Sequence, residues 1–185
     1  MTTHVHLDAG QIDAGVAAAG PSPRGAGVVE MMLRRPDVDE REILDRAELV
    51  VGAGVVGDNY VERGSPQTDD GLAHPEAQLN IMSSRNIDAI AAGDRARWSL
   101  AGDQFFVDLD LSVDHLPVGT RLQIGTAVIE VAAKPHNGCA KFSARFGTDA
   151  ARWVNQSREE RRRGLCAMVI APGVVSTGDE IRVIE

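Results

Sequence analysis

The sequence predicts an α+β, β-rich fold, a barrel- or sandwich-like core of short strands with a few helices inserted. Three observations carry this prediction. Short apolar runs, partly β-branched, recur along the second half and are separated by glycine turns. "QFFVDLDLS" (104–112) alternates, with Phe106, Asp108 and Asp110 opposing Val107, Leu109 and Leu111. Helical spacing is confined to a few segments, so the helices decorate a β-structure rather than form a bundle.

The chain has 185 residues, 43% hydrophobic and 25% charged, which suits one globular domain with a real core and no need of a covalent staple. The net charge of −8 argues against nucleic-acid binding, because phosphate contacts need a basic surface. No apolar run approaches the ~18 residues of a membrane span. The N-terminus has no basic segment followed by an apolar one, so no signal peptide is expected and the reading is cytoplasmic, with reduced thiols. The expected organisation is a variable N-terminal segment over 1–27 and a single domain over 28–185.

The elements follow in order. Residues 1–27 are Gly- and Ala-rich, and "VAAAGPSPRGAG" reads as a loop. His4 and His6, in "HVH", have metal-binding side chains, but a frayed terminus is the expected state. "VVEMMLRR" from Val28 reads as a strand. "PDVDEREILDRAELVVG" reads as the clearest helix: Asp37 or Asp39 caps it, Ile43, Leu44, Ala47, Val50 and Val51 share a face, and Gly52 stops it. The 53–77 stretch, rich in glycine, proline and acids, reads as a long surface loop, either functional or merely connecting. "QLNIM" (78–82) is a strand, and Ser83 or Ser84 starts a helix with Ile87, Ile90 and Ala91 on one face.

Strands dominate from Arg97 onward. Asp108 and Asp110 share a strand face, solvated in the plain reading. "TRLQIG" and "AVIEVAAK" flank Gly125–Thr126 as a hairpin, and "GLCAMVIAPG" and "VVSTGDEIRVIE" supply two or three more strands. "GTRLQIG" (119–125) and "GDEIRVI" (178–184) echo one another in turn glycine and alternation. Trp98 and Trp153 read as packing residues, and "NQSREERRRG" as a solvated mixed-charge run.

The chemistry concentrates in "KPHNGCAKFSARFG" (134–147). Pro135 keeps Lys134 extended, and Asn137–Gly138 suggests a tight turn. A helix then runs from Cys139 to Gly147, with Phe142 and Phe146 packed inward and Lys141 and Arg145 on another side. "TDAARWVNQ" follows as a second helix capped by Thr148. A thiol at a helix start beside basic residues favours thiolate, the nucleophilic and metal-binding form. The plain alternative is a small apolar residue buried beside Phe142. His136 is either an exposed loop residue or a site residue. Cys166, in an apolar run, reads as a buried free thiol. With two cysteines, no disulfide framework exists, and no Cys/His cluster has zinc spacing.

Other chemistries lack support. There is no GxSxG elbow, no P-loop and no GxGxxG leading a helix; "GAGVVGDN" (52–59) has neither the spacing nor the strand. No histidine stands out as a triad partner for Cys139.

The succession "LPVGTRLQIGTAVIEVAAKPHNGCAKFSARFG…RRRGLCAMVIAPGVVSTGDEIRV" resembles the MOSC domain, named for the C-terminal part of molybdenum cofactor sulfurases. The resemblance runs from about Leu79 to Val183, and "GVVGD" (54–58) is similar to a Gly–Asp motif of stand-alone members. It implies a β-barrel of mixed strands with a few helices. It also implies one functional cysteine, at the position of Cys139, that carries sulfur as a persulfide or ligates the molybdenum of the pterin cofactor. Lys134, His136, Asn137, Lys141 and Arg145 are then the expected cofactor-binding residues. The chain departs from the family pattern in two places. Gly138 stands where proline is frequent, and "FFVDLDLS" stands where reductase-like members have an Arg–Glu–Asn type segment.

The resemblance implies a molybdenum-cofactor-binding or sulfur-carrier protein. The alternative is a small molybdenum oxidoreductase acting on N-hydroxylated substrates with an external electron donor. The expected partners are a sulfur donor or acceptor protein, or an electron-donor protein, and neither nucleic acid nor membrane. These 185 residues hold no aminotransferase-like domain and no identified pyridoxal phosphate lysine, so a complete cysteine desulfurase is not expected.

Overall fold

The computed structural model describes residues 6–184; His4 lies outside the described residues. Seven strands close into a mixed barrel in the order β11 (Glu180–Ile184), β7 (Arg121–Ile124), β8 (Ala127–Val131), β9 (Leu165–Ala171), β5 (Leu79–Ser83), β6 (Phe105–Asp108) and β1 (Ala26–Arg34). Val28 of β1 pairs with Glu180 of β11 to complete the closure. Among these pairs β5–β6 is parallel and the rest are antiparallel. The end of β1 also pairs with β2 (Glu42–Leu44). A small second sheet joins β10 (Gly173–Ser176), β3 (Arg46–Val50) and β4 (Gly54–Val55). Closure leaves few free strand edges, which is how a β-rich chain avoids edge-to-edge pairing.

Alternation along the strands divides the apolar residues into two cores. Phe105, Val107, Leu109, Ile129 and Ile181 fill the barrel. Phe106, Met31, Leu33 and Met82 point outward under a layer of helices. A β-bulge between Val29 and Met31 shifts the phase of β1, so that Val29 and Met32 both reach the interior. The helical layer contains α1 (Ala9–Ala19), α3 (Ser84–Ile90), a 3-10 segment over Arg95–Ala101, α4 (Ala140–Phe146) and α5 (Thr148–Asn155); the four-residue α2 (Tyr60–Arg63) stands apart in the 53–77 stretch. Ile87, Ile90 and Ala91 are buried as their spacing predicts. Trp98 and Trp153 are buried packing residues.

The hairpin at Gly125–Thr126 forms as read, and three strands follow it in the C-terminal stretch. The two echoing segments are paired neighbours, β7 against β11, each entered through a glycine with positive φ. Asp108 and Asp110 do share a face, but both are ion-paired: Asp108 with Arg85 at 2.6 Å and Asp110 with Arg24 at 3.6 Å.

Several segments differ from expectation. The stretch read as the clearest helix is β2 and β3: Ala47 and Leu49 are buried in a period of two, while Ile43, Val50 and Val51 are exposed. Ala47 pairs with Val175 and Leu49 with Gly173, so a partner some 125 residues away overrides a helix-compatible pattern. Asp39 caps nothing; it adopts a left-handed φ of 61° in the loop before β2. Ala9–Ala19 of the Gly- and Ala-rich segment form α1, started by an Asp8–Gln11 capping box, so Val16–Ala19 are helix rather than the expected loop. Its one fully buried residue, Ile12, packs into the outer core. Thr148 is the first residue of α5 and makes no cap; Gly147 holds that position.

Candidate functional site

The segment 132–139 leaves the end of β8 and delivers Cys139 to the start of α4 without regular structure. Asn137–Gly138 is not a tight turn, and Gly138 does not need a left-handed φ. Its missing side chain matters for space: a Cβ there would stand 2.8 Å from Val154 Cγ2. Cys139 is the N-cap residue of α4, is exposed, and makes no side-chain cap bond. Burial beside Phe142, the plain alternative, is therefore not what the structure has. Phe142 and Phe146 instead pack on each other, with ring centroids 4.9 Å apart.

Cys139 stands where two clefts meet. The larger, about 890 Å³, is lined by Tyr60, Arg63, His74, Lys134, Asn137 and Cys166 among others. The smaller, about 260 Å³, is lined by Arg41, Asn59, Arg63, Lys141 and Arg145. The 53–77 stretch therefore supplies one wall of the larger cleft, through Arg63, Gln67 and His74.

Four of the five predicted cofactor residues divide into two groups, and His136 stands apart. Lys134 and Asn137 line the larger cleft, and Lys134 Nζ donates to Gln67 Oε1 at 2.5 Å. Lys141 and Arg145 face Asp39, at 2.9 and 2.8 Å. The hydrogen bond from Lys141 holds the Asp39 carboxyl below its ordinary range. The two cations expected to act on the thiol are thus matched by one exposed carboxylate. His136 turns inward, with Nε2 2.5 Å from Asp103 Oδ1.

Asp103 is fully buried and also accepts from Arg163 Nη1 at 2.6 Å. Arg163, expected in a solvated run, is 5% exposed, donates to Ala101 O at 3.1 Å, and lies over the Phe142 ring. Burial alone would raise the Asp103 carboxyl; Arg163 and His136 outweigh it and hold it low. Burial, reinforced by Arg163, holds His136 below the usual imidazole range. A carboxylate only accepts, so the neutral imidazole carries its proton on Nε2. His136 and Arg163 each stand three residues before a cysteine, Cys139 and Cys166, so Asp103 ties the two cysteine-bearing segments together.

Cys166, on β9, is buried in the floor of the larger cleft. Its thiol lies 3.5 Å from Asn80 Oδ1, and burial pushes its pKa up to about 11. It is a buried free thiol, as its apolar setting predicted, and is protonated at neutral pH.

Sequence reasoning missed Arg63 and Arg41. Among the described residues neither forms an ion pair. Arg41 Nε is buried without a hydrogen-bond partner. Arg63 lies just after "GVVGDN", the one nearby signal, while Arg41 sat inside a stretch read as helix. Two unpaired cations and Lys134 thus line the clefts beside an exposed thiol, together with the carboxylates Asp37, Asp39, Glu40 and Glu76.

The chain belongs to a recognised class of protein. The MOSC domain family matches residues 68–182, and the chain is a member of that family. The family is generally linked to molybdenum cofactor binding or sulfur transfer. The fold is similar to the crystal structure of the YuaD protein from Bacillus subtilis, with TM-score 0.61 and 18% identity over 88% of this chain and 98% of that one. It is also similar to YiiM from Escherichia coli, with TM-score 0.55 and 19% identity over 89% and 71% of the two chains. YiiM from Geobacillus stearothermophilus gives TM-score 0.54 and 13% identity over 88% and 75%. A search of curated protein sequences returns no match. Among the described residues, no helix is long and apolar enough to cross a membrane.

Proposed function

We propose that this protein handles molybdenum cofactor or its sulfur, with the Cys139 thiol as the attachment atom. The observation that carries this is the placement of one exposed, unpartnered thiol at the meeting of two clefts that hold unpaired cations. As a sulfur carrier, the Cys139 thiolate attacks the terminal sulfur of a donor persulfide. The new S–S bond forms on Cys139, and the donor cysteine leaves as a thiolate. The donor is a separate protein. Lys134 and Arg63 favour the anionic persulfide over the clefts.

The residues also fit the cofactor. Thiolate is the soft donor that molybdenum accepts. The orphaned Arg41 Nε, with Arg63 and Lys134, suits an anionic phosphate on the pterin. No group of three or more His, Cys, Asp or Glu among the described residues could hold a bare metal ion, so a metal at Cys139 brings its other ligands with it. When bound, the cofactor would supply metal-centred redox or oxygen-transfer chemistry. The chain's own part would be to hold it: Cys139 would ligate the metal, Arg41 and Arg63 would take the anionic end, and the Asp103 network would fix the loop.

The test is elemental molybdenum and intact mass on protein expressed with ample cofactor, wild type against Cys139→Ser. The expected result is molybdenum or one added sulfur atom on the wild type and neither on Cys139→Ser. Equal loading of the two proteins would refute the assignment.

A further inference from the structure

Cys139 is preceded by the residue with the most backbone freedom. Glycine loses more conformational entropy on ordering than any other residue, so a thiol that follows one is poorly placed unless something else holds the chain. Proline, frequent at this place in the family, would fix φ by its ring. Here the hold comes from a side chain. Asn155 Oδ1 accepts from the Gly138 N–H at 2.9 Å, and Asn155 Nδ2 donates to the Gly138 carbonyl at 3.2 Å. Both ends of one carboxamide are used, and only one orientation of the amide satisfies both bonds.

The topology explains how a residue 17 positions away comes to do this. Helices α4 and α5 meet at Gly147, which brings the last residue of α5 beside Gly138, the residue before the N-cap of α4. Helix α5 is itself anchored: Ala150, Trp153 and Val154 are buried in the outer core, and Trp153 Nε1 donates to Asp13 at 2.6 Å. Val154 closes the space where a Gly138 side chain would go. Glycine at 138 and asparagine at 155 thus form one device. Proline at 138 lacks the N–H that Asn155 receives, and its ring would meet Val154.

We infer that Asn155 is a positioning residue for Cys139, whose carboxamide clamp on Gly138 sets where the thiol stands over the clefts. This rests on the reading of Cys139 as the attachment atom. The thiol makes no cap bond of its own, so its direction is set by its neighbours. On the other side His136, held by Asp103, fixes the same loop. The clamp fixes the last peptide before the thiol.

The test compares the full chain with Asn155→Ala and Asn155→Asp. Three quantities are followed: the exchange rate of the Gly138 amide, the thermal midpoint, and the lifetime of sulfur loaded onto Cys139 from inorganic polysulfide. In that loading the thiolate takes a terminal sulfur atom and the polysulfide leaves one sulfur shorter. Asn155 is exposed at a helix end, so Asn155→Ala should unfold cooperatively near the wild-type midpoint. It should speed Gly138 exchange about tenfold and shorten the persulfide lifetime severalfold. Asn155→Asp keeps the acceptor and loses the donor, and should restore most of the amide protection and part of the lifetime. Unchanged exchange in Asn155→Ala would overturn the clamp. Faster exchange with an unchanged lifetime would overturn its positioning role. Failure of the underlying reading shows separately, as equal sulfur retention in wild type and Cys139→Ser with every Asn155 residue in place.

Discussion

Cys139 and Cys166 line one cleft and differ in almost everything else. Cys139 is exposed, unpartnered, and carried on a loop without regular structure. Cys166 is buried in a barrel strand, hydrogen-bonded to Asn80, and protonated far above neutral pH. Identical chemistry is thus made available in one place and withheld in another by burial and partners alone. The rigid strand builds the floor; the loop, tied to it through Asp103, presents the exposed thiol. This division fits the general rule that function sits on loops positioned by a rigid scaffold.

The sharpest way to break the comparison is to cut the tie. Asp103→Asn leaves Arg163 buried without its counter-charge, and a broken buried pair costs on the order of 3–5 kcal/mol. A large drop in the urea midpoint is expected; a midpoint near wild type would show that the network does not hold the two segments. The next effect is chemical. Iodoacetamide on native protein at neutral pH should label Cys139 and leave Cys166 unmodified. Labelling of Cys166 should appear only as the pH climbs toward about 11 or the chain unfolds. Peptide mass spectrometry reads both sites, and equal labelling at neutral pH would erase the distinction.

Acid should weaken the tie more gently. The folded His136 resists a proton that the unfolded chain accepts below about pH 6.5. Stability therefore falls as the pH drops below that value and continues falling until the folded imidazole also titrates. Asp103, whose carboxyl is also held low, adds a loss in the same direction as the pH falls below 3.8 toward its folded value. A urea midpoint that stays flat from pH 7 to 5 would contradict the buried neutral imidazole. The smallest effect is electrostatic. Asp39→Asn keeps a side chain that tolerates the left-handed backbone and frees Lys141 and Arg145. Calorimetric titration with inorganic phosphate should show a few-fold gain in affinity that fades with added salt. No gain would mean that Asp39 does not hold these cations back from an anion in the smaller cleft.

Much of the β-structure was legible because alternation and glycine turns are local signals. The hairpin at Gly125 and the strand at 79–83 follow from them, and the helix carrying Phe142 and Phe146 follows from their i, i+4 spacing. The stretch from Glu42 to Val50 was not legible, because Ala47 and Leu49 fit a helix as well as a strand until their partners in β10 are known. Helix α1 has one fully buried residue, Ile12, so its apolar pattern is faint, although the Asp8–Gln11 capping box was there to be read. At the site, Cys139 was legible from its neighbours and from the family resemblance. The Asp103–Arg163 pair and the Asn155 clamp were not, since they join residues 60 and 17 positions apart that share no spacing rule. Lys141 and Arg145 were legible as cations on one helix face, but not as partners of Asp39.

The central claim, that the exposed cysteine and not the buried one is the attachment atom, is tested most directly by mapping loaded sulfur to a peptide. Wild type, Cys139→Ser and Cys166→Ser would each be exposed to polysulfide, washed and digested without reductant. The predicted result is added sulfur on the Cys139 peptide of the wild type and of Cys166→Ser, and none on Cys139→Ser. Added sulfur on the Cys166 peptide, or its persistence in Cys139→Ser, would contradict the account.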